Sequence, residues 1–461
     1  MKVFPFTIVV FLAAMLASCS GTRNLTPAQL DLPESMAPGV DADSLTAADM
    51  RWWEVYADTT LRYIISESLE HNRDIQTAAA RVEELGKLYG VQKLNYMPQI
   101  TGIAGATRET NDYYGEKHST DPELSLKATL NWEIDLWGGL SQSRRKAAAE
   151  YHAGVLDRRA MQMTLVAECA SAYFNLVALQ SELNIVRRTL TTRSEALDKA
   201  QLRFEGGLTS ELPYRQAVVE YNTTAALIPD LERRIAMARN ALTLLMGRFP
   251  DTLELTDSPA NVVALADELP DSLPLGIPSG LLERRPDIQA AEQRLKSAMA
   301  ACGVAYSNQF PKLRIAVTGG WENDELAHFF HSPFTYLLGN ITGTIFDFGR
   351  NRRRYQASIA AYDQARLKYE KTVLTAFTEV SNAVTAYSSA RLSAERRREL
   401  RDAAYKYVSL ANKQYIGGSI SYLDVLDAQR RYFDAQISYA NAVRDRFLAL
   451  AALYKALGGG C

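Results

Sequence analysis

Long apolar runs are missing from this 461-residue chain except at its very start. Past that leader, no stretch reaches the roughly 18 apolar residues that a membrane-spanning helix needs. A surplus of either charge is missing as well. The 51 Lys and Arg stand against 53 Asp and Glu, a net charge of -2, which gives no footing for nucleic-acid binding. Cysteine is scarce: Cys19, Cys169, Cys302 and Cys461 are too few and too scattered for a disulfide framework. Cys169 and Cys302 fall in helical patterns and read as small buried side chains. The histidines show no metal-ligand spacing with cysteines or clustered acids, and His328 and His331 sit in a polar loop as solvated side chains. No G-x-x-x-x-G-K-[ST] phosphate loop and no nucleophile motif occurs. The sequence therefore points to no enzyme, no cofactor and no resident metal. If the chain crosses a membrane, it does so with strands.

The N-terminus reads as an export signal over residues 1–18. Lys2 supplies a positive start, Val3 to Leu16 is apolar apart from Thr7, and Leu16-Ala17-Ser18 places small residues before Cys19. The order Leu-Ala-Ser-Cys resembles a bacterial lipobox, which would make Cys19 the lipidated first residue of the mature protein. A secreted chain with a cysteine there by chance is the alternative. Ser20, rather than Asp, is compatible with onward sorting to the outer membrane. Residues 19–49 are polar and carry proline, as a tether would.

Two similar halves follow. Asn72-Arg73-Asp74-Ile75-Gln76 recurs as Arg285-Pro286-Asp287-Ile288-Gln289, an offset of 213 (287 − 74). Trp137-Gly138 matches Phe348-Gly349, Gly206-Gly207 matches Gly417-Gly418, and Gly247 matches Gly458, all at 211 (417 − 206). That period is too long for a solenoid and marks a duplicated unit, residues 50–247 and 279–461. Between them, 248–278 holds five prolines and reads as a linker.

Each half predicts the same order: helix, strand, strand, long helix, helix. Medium helices cover about 60–96 and 279–309 and are closed by Pro98 and Pro311. Very long helices run from about 140 to 205 and 350 to 416, each ending at a Gly-Gly turn, and another long helix then continues to Gly247 or Gly458. Leu176, Leu179, Leu183 and Val186 step by three and four in coiled-coil fashion, and Arg193 takes one seam position farther on. Strands fall near 99–107, 124–134, 312–322 and 336–346. In the second, Leu124, Leu126, Ala128, Leu130, Trp132 and Ile134 alternate with Ser125, Lys127, Thr129, Asn131 and Glu133. The connecting loops carry Tyr113, Tyr114, Phe329, Phe330 and Phe334, either headgroup anchors or ordinary exposed aromatics.

Strands of this length with one apolar face suit a tilted membrane crossing. A bilayer forbids open sheet edges, and four strands are too few to close a membrane barrel. An α+β membrane protein that closes its barrel by oligomerising follows.

Three stretches carry a family resemblance: Asn131-Trp132-Glu133-Ile134-Asp135-Leu136-Trp137-Gly138, Ala172-Tyr173-Phe174-Asn175-Leu176, and Leu281-Leu282-Glu283-Arg284-Arg285-Pro286-Asp287-Ile288. Ile345-Phe346-Asp347-Phe348-Gly349-Arg350 and Tyr422-Leu423-Asp424-Val425-Leu426-Asp427-Ala428-Gln429 add to it. The chain resembles the TolC-like outer-membrane efflux proteins, in particular the lipoprotein branch serving resistance-nodulation-division multidrug pumps. The family often ends in Trp where this chain has Cys461. The resemblance implies a homotrimer in which four strands per protomer build one twelve-stranded transmembrane β-barrel, joined to a long periplasmic α-helical barrel with an equatorial region. It also implies a periplasmic adaptor protein at the helical tip and an inner-membrane pump beyond it.

The Gly-Gly turns, Gly206-Gly207 and Gly417-Gly418, should form that tip, with Ser210 and Ser421 as N-caps of the returning helices. Asp424 and Asp427 are three apart on one helical face. By resemblance they, with Tyr415, mark the periplasmic gate, where three copies would give carboxylate rings favouring cations. The competing reading of Asp424 is a cap, since Ser-x-x-Asp is close to a capping arrangement. Where some family members lock the tip with an arginine and an acid, this chain has Ile420 and has Pro213 near the acid's place.

The leading functional reading is a passive export duct for drugs or other small molecules, its energy supplied by the pump. Ducts for secreted polypeptides or metal ions, and a non-conducting lipid-anchored periplasmic scaffold, remain the alternatives at this level.

Overall fold

A computed structural model describes residues 25–28, 58–111, 114, 119–250, 261–268, 278–344 and 346–459. Cys19 and Cys461, the signal, most of the tether and Tyr113 lie outside them. In chain order the elements are α1 (Thr59–His71), α2 (Arg73–Leu94), β1 (Gln99–Asn111), β2 (Ser119–Ile134), α3 (Gly139–Glu205), α4 (Glu211–Ala225), α5 (Leu227–Leu245), α6 (Pro278–Arg284), α7 (Pro286–Ser307), β3 (Lys312–Asn323), β4 (Pro333–Thr342), α8 (Arg350–Ile416) and α9 (Tyr422–Ala456). Short 3-10 segments lie at Val262–Glu268 and Leu326–His331.

The two medium helices each break once. At Asn72 the backbone turns extended (ψ 129°), and the side-chain oxygen accepts from the amides of Asp74 and Ile75 to start α2. At Arg285 the cause is Pro286, whose ring disfavours helical geometry in the residue before it. The first return helix also breaks, at Ala226. Pro229 has no N–H to give the Ala225 carbonyl, so the ladder is interrupted there. Its counterpart α9 has no such proline and runs 35 residues unbroken.

The chain divides into two compact units. The first holds Ala80–Val155 and Ala290–Lys371 and contains the sheet. Its four antiparallel strands lie in the order β1-β2-β3-β4. The register sorts the side chains into two faces. Ala104, Leu126, Trp321 and Pro333 share one row; Ile100, Leu130, Val317 and Leu337 share another; Ile134, Leu313 and Ile341 share a third. All three rows lie on the same face. The opposite face is polar. Thr129 and Thr318 hydroxyls are 2.9 Å apart, Lys127 pairs with Glu322 at 2.9 Å, and Glu133 takes Lys312 at 2.9 Å and Arg314 at 3.1 Å. β1 and β2 both extend past the alternation read from sequence, which shortens the first loop. In the second loop Phe329 is buried, and Phe330 is exposed with its ring 5.6 Å from Trp321.

The long helices begin on aspartates. Asp135 accepts from the amides of Leu140 and Ser141 (2.9 and 2.8 Å), and Asp347 accepts from Gly349 and Asn351 (3.0 and 2.9 Å). Each such bond satisfies an amide that a helix start leaves without a partner. The two helices are both 67 residues long.

The second unit, Asp31–Ala79, Leu156–Gln289 and Thr372–Cys461, is helical where its residues are described. Its core includes Tyr173, Phe174, Leu176, Val177 and Val186 of α3, all at 2% exposure or less, and the Phe174 ring stacks on Phe447 of α9 at 3.9 Å. The linker segment at Val262–Glu268 packs here too, where the Val262 amide donates to Ser181 at 2.7 Å. Duplication shows in the joints. The Asn72 side chain donates to the Leu245 carbonyl (2.9 Å) and Arg285 to the Ala456 carbonyl (3.2 Å), so each half fastens its first helix to the end of its last.

Gly247 and Gly207 have nearly the same left-handed backbone, φ 66° and 68°, yet different surroundings. A Cβ at Gly247 would lie 2.2 Å from the His71 carbonyl oxygen, whereas at Gly207 nothing lies within 4 Å. Gly207→Ala should therefore cost about 1–2 kcal/mol, the backbone strain alone, and Gly247→Ala clearly more. Thermal melts of the two purified variants test this, and equal losses would contradict it.

Candidate gate and docking tip

Both Gly-Gly turns close their helices by the same pair of backbone hydrogen bonds. Leu208 N donates to Arg203 O (2.8 Å) and Gly207 N to Phe204 O (2.9 Å); Ser419 N donates to Gln414 O (2.9 Å) and Gly418 N to Tyr415 O (3.0 Å). These are Schellman caps, which need a left-handed residue at the position Gly207 and Gly418 occupy, φ 68° and 75°. Gly206 and Gly417 precede them, and all four glycines are exposed. Around the turns Leu208, Leu212, Ile416 and Leu423 expose large apolar side chains.

The returning helices start differently. Ser210 stands at the N-cap of α4 but its side chain makes no capping bond. Ser421 forms a full capping box with Asp424: the Ser421 amide donates to Asp424 Oδ2 at 2.9 Å, the Ser421 hydroxyl to the same oxygen at 2.7 Å, and the Asp424 amide to Ser421 Oγ at 3.4 Å. The Ser421 hydroxyl, with backbone help, holds the Asp424 carboxyl below its usual range. Asp427, one turn on, accepts from Arg431 Nε at 2.8 Å and from the Tyr407 hydroxyl at 3.5 Å. Asp424 thus caps its own helix and is exposed, and Asp427 is half-exposed and countered by one arginine. Tyr415 is half-buried against Ala411, Val425 and Ala428, and its hydroxyl accepts from Arg203 at 3.2 Å, linking the two Gly-Gly turns. Ile420 packs on the same small cluster.

A buried ionic cluster ties three helices together in this unit. Arg193 of α3 pairs with Glu220 of α4 at 3.0 Å, donates to the Glu220 carbonyl at 2.9 Å and bonds Thr224 Oγ1. Arg430 of α9 donates to Glu220 Oε1 from Nε at 2.8 Å and also from Nη2. Arg193 and Glu220 are 7% and 6% exposed, so two charges lie in the packed seam. Burial pulls the Arg193 guanidinium below its usual pKa, and Glu220 opposes that shift. The only trace of this in the sequence is a charged residue at a coiled-coil seam position. Its partner, 27 residues away across the turn, leaves no pattern.

The sequence matches the family described as Outer membrane efflux protein over residues 64–248 and 277–459. The toluene efflux pump outer membrane protein TtgI of Pseudomonas putida is 32% identical over 465 residues, covering 98% of each chain. The pyoverdine export outer membrane protein OpmQ of Pseudomonas putida is 30% identical over 424 residues, covering 89% of this chain and 88% of that one. Among solved structures, the open-state MtrE outer membrane channel of Neisseria gonorrhoeae matches with a TM-score of 0.85 at 28% identity, over 94% of this chain and 97% of that one.

Removing one partner of a buried ion pair leaves the other charge unpaired, at about 3–5 kcal/mol. Glu220→Gln should lose about that much stability in denaturant melts, whereas Glu232→Gln, in an exposed pair with Arg187, should lose less than about 1 kcal/mol. The Asp424 box has a pH signature. With the folded pKa depressed, its contribution is present above about pH 4, the unfolded value, and is lost as pH falls through the folded one. Amide protection at the start of α9, taken relative to the intrinsic exchange rate, should fall at low pH in the wild type and already be low at pH 7 in Asp424→Ala. No difference between the two at pH 7 would remove the cap.

Proposed function

The chain belongs to the outer membrane efflux protein family, and from that premise we propose how it serves as the exit channel of an efflux pump. It is an outer-membrane efflux channel that works as a trimer with other pump components, and it is not an enzyme. The observation that carries this is the sheet. One face is apolar row by row, the other holds threonines and ion pairs, and β1 and β4 are edges with no further strand partner among the described residues. Three copies contribute twelve strands to one barrel with the apolar face to lipid and the charged face to a wet lumen.

Finer features follow as proposals. The N-terminal signal, 1–18, is removed and Cys19 carries lipid that holds the tether, 19–49, at the outer membrane; the two repeats then span 50–247 and 279–461 around the linker 248–278. The Gly-Gly turns at 206–207 and 417–418, with exposed Leu208, Leu212, Ile416 and Leu423, are the docking tip for a periplasmic adaptor protein, which couples the duct to an inner-membrane pump of the resistance-nodulation-division type. That pump supplies the energy, and the cargo is drugs or other small molecules. At the gate Asp427 supplies the ring of carboxylates, Tyr415 holds the neighbouring turn through Arg203, and Asp424 shapes the helix start from which Asp427 projects. These roles are supported by the exposure of the turns and by the Arg431 pairing, which leaves Asp427 half open to water.

Purified protein in a planar bilayer tests the duct and the ring together. Single-channel steps are expected, and Asp427→Asn should lower cation preference while Asp424→Asn changes it less. Absence of steps from wild type and all tip variants would remove the duct; unchanged currents in Asp427→Asn would remove that residue from the gate.

A further inference from the structure

The joint between sheet and long helices carries charge that the fold itself does not use. The first five residues of α8 are Arg350-Asn351-Arg352-Arg353-Arg354, and Arg144-Arg145-Lys146 follow the first turn of α3. The positive end of a helix dipole is a poor place for cations, and neither first turn holds an acid. Arg145, Arg350, Arg352 and Arg353 are exposed, and among the described residues none has a carboxylate partner. The nearest acid in sequence, Asp347, already accepts from the amides of Gly349 and Asn351.

Next to these arginines in the chain, two aromatic rings are exposed on the single protomer. Phe348 is 90% exposed and Phe346 73%, with centroids 4.6 Å apart. Phe348 has φ 54°, the one left-handed non-glycine among the described residues. Nothing in its own packing explains a strained, exposed phenylalanine. Both features come just after the last apolar row of the sheet, Ile134, Leu313 and Ile341, where the lipid-facing surface stops. Aromatic rings followed by unpaired arginines is the order in which a leaflet changes from acyl chain to phosphate.

We propose that this joint is a binding surface for anionic phospholipid headgroups, with Phe346 and Phe348 at the acyl boundary and Arg145, Arg350, Arg352 and Arg353 on the phosphates. The occupant is a lipid because the patch follows, in chain order, the last apolar row of the sheet and is complementary in charge to an anionic headgroup. A second lipid-boundary contact, independent of any N-terminal anchor, fixes the depth of the channel. This rests on the sheet being embedded in lipid.

The test uses full-length trimers in detergent and in bilayers. Native mass spectrometry counts retained phosphatidylglycerol against phosphatidylcholine, for wild type and for the variant Arg350→Gln/Arg352→Gln/Arg353→Gln. Wild type should retain phosphatidylglycerol preferentially, the triple variant should lose at least about tenfold in that preference, and the matching Arg→Lys variant should recover most of it, because a headgroup phosphate accepts either cation. Equal retention of the two lipids by wild type, or no loss in the Gln variant, overturns the inference. So does an unchanged lipid preference with altered ion selectivity, which would put the arginines on the water path. Should the Gln variant fail to assemble, Phe348→Trp serves instead: lipids brominated near the headgroup should quench the added fluorescence, and no extra quenching counts against the proposal. Quenching of native Trp132 and Trp321 by brominated acyl chains reports on the embedded sheet separately, so its loss marks failure of the premise rather than of the headgroup site.

Discussion

Within a bilayer the outer edges of β1 and β4 would each leave a row of backbone N–H and C=O groups without partners, at several kcal/mol for each group. These edges are 13 and 10 residues long. No side-chain rearrangement within one chain removes that cost, because the sheet order β1-β2-β3-β4 keeps the two edges at opposite sides. Only edges from other copies can. Trimeric assembly is therefore a condition of membrane insertion, and the apolar rows and ion-paired rows acquire their meaning, lipid side and lumen side, through it.

The helical part depends on the same economy of backbone partners. A 67-residue helix ends with carbonyls that lack partners, and both long helices end in Schellman caps built on glycine pairs. The return helices end in the same motif at Gly247 and Gly458, where Arg248 N reaches Thr243 O and Gly459 N reaches Tyr454 O. The four caps keep the 211-residue spacing of the repeat (418 − 207 and 458 − 247). Duplication was retained in the caps and in the joints, although Asn72 makes one joint and Arg285 the other, and the halves differ more where Pro229 breaks one return helix while its counterpart α9 stays whole. The asymmetry extends to the tip, where Ser421 and Asp424 close a capping box and Ser210 makes no side-chain bond.

Much of this was legible in the residues because it rests on periodicity. Alternation in Leu124–Ile134 fixed the faces of β2, and the spacing of Gly-Gly pairs located the helix reversals. What escaped has no period. The breaks at Asn72 and Ala226 depend on a single side chain or proline inside a helical pattern. The Arg193–Glu220–Arg430 cluster joins residues from three helices, and only the odd placement of Arg193 hinted at it. Asp424 looked equally like a cap and a lumen acid. Its 2.7 Å bond from the Ser421 hydroxyl decides what its carboxylate touches. The arginines opening α8 are plain in the sequence, but their lack of a carboxylate partner among the described residues depends on the fold.

The central claim is that the sheet closes only between copies, and the stoichiometry of the native particle tests it most directly. Native mass spectrometry of the channel extracted from outer membranes should give a mass of three chains, with no stable single chain in the membrane fraction. A monodisperse single chain, extracted from the bilayer with its sheet intact, would contradict the account.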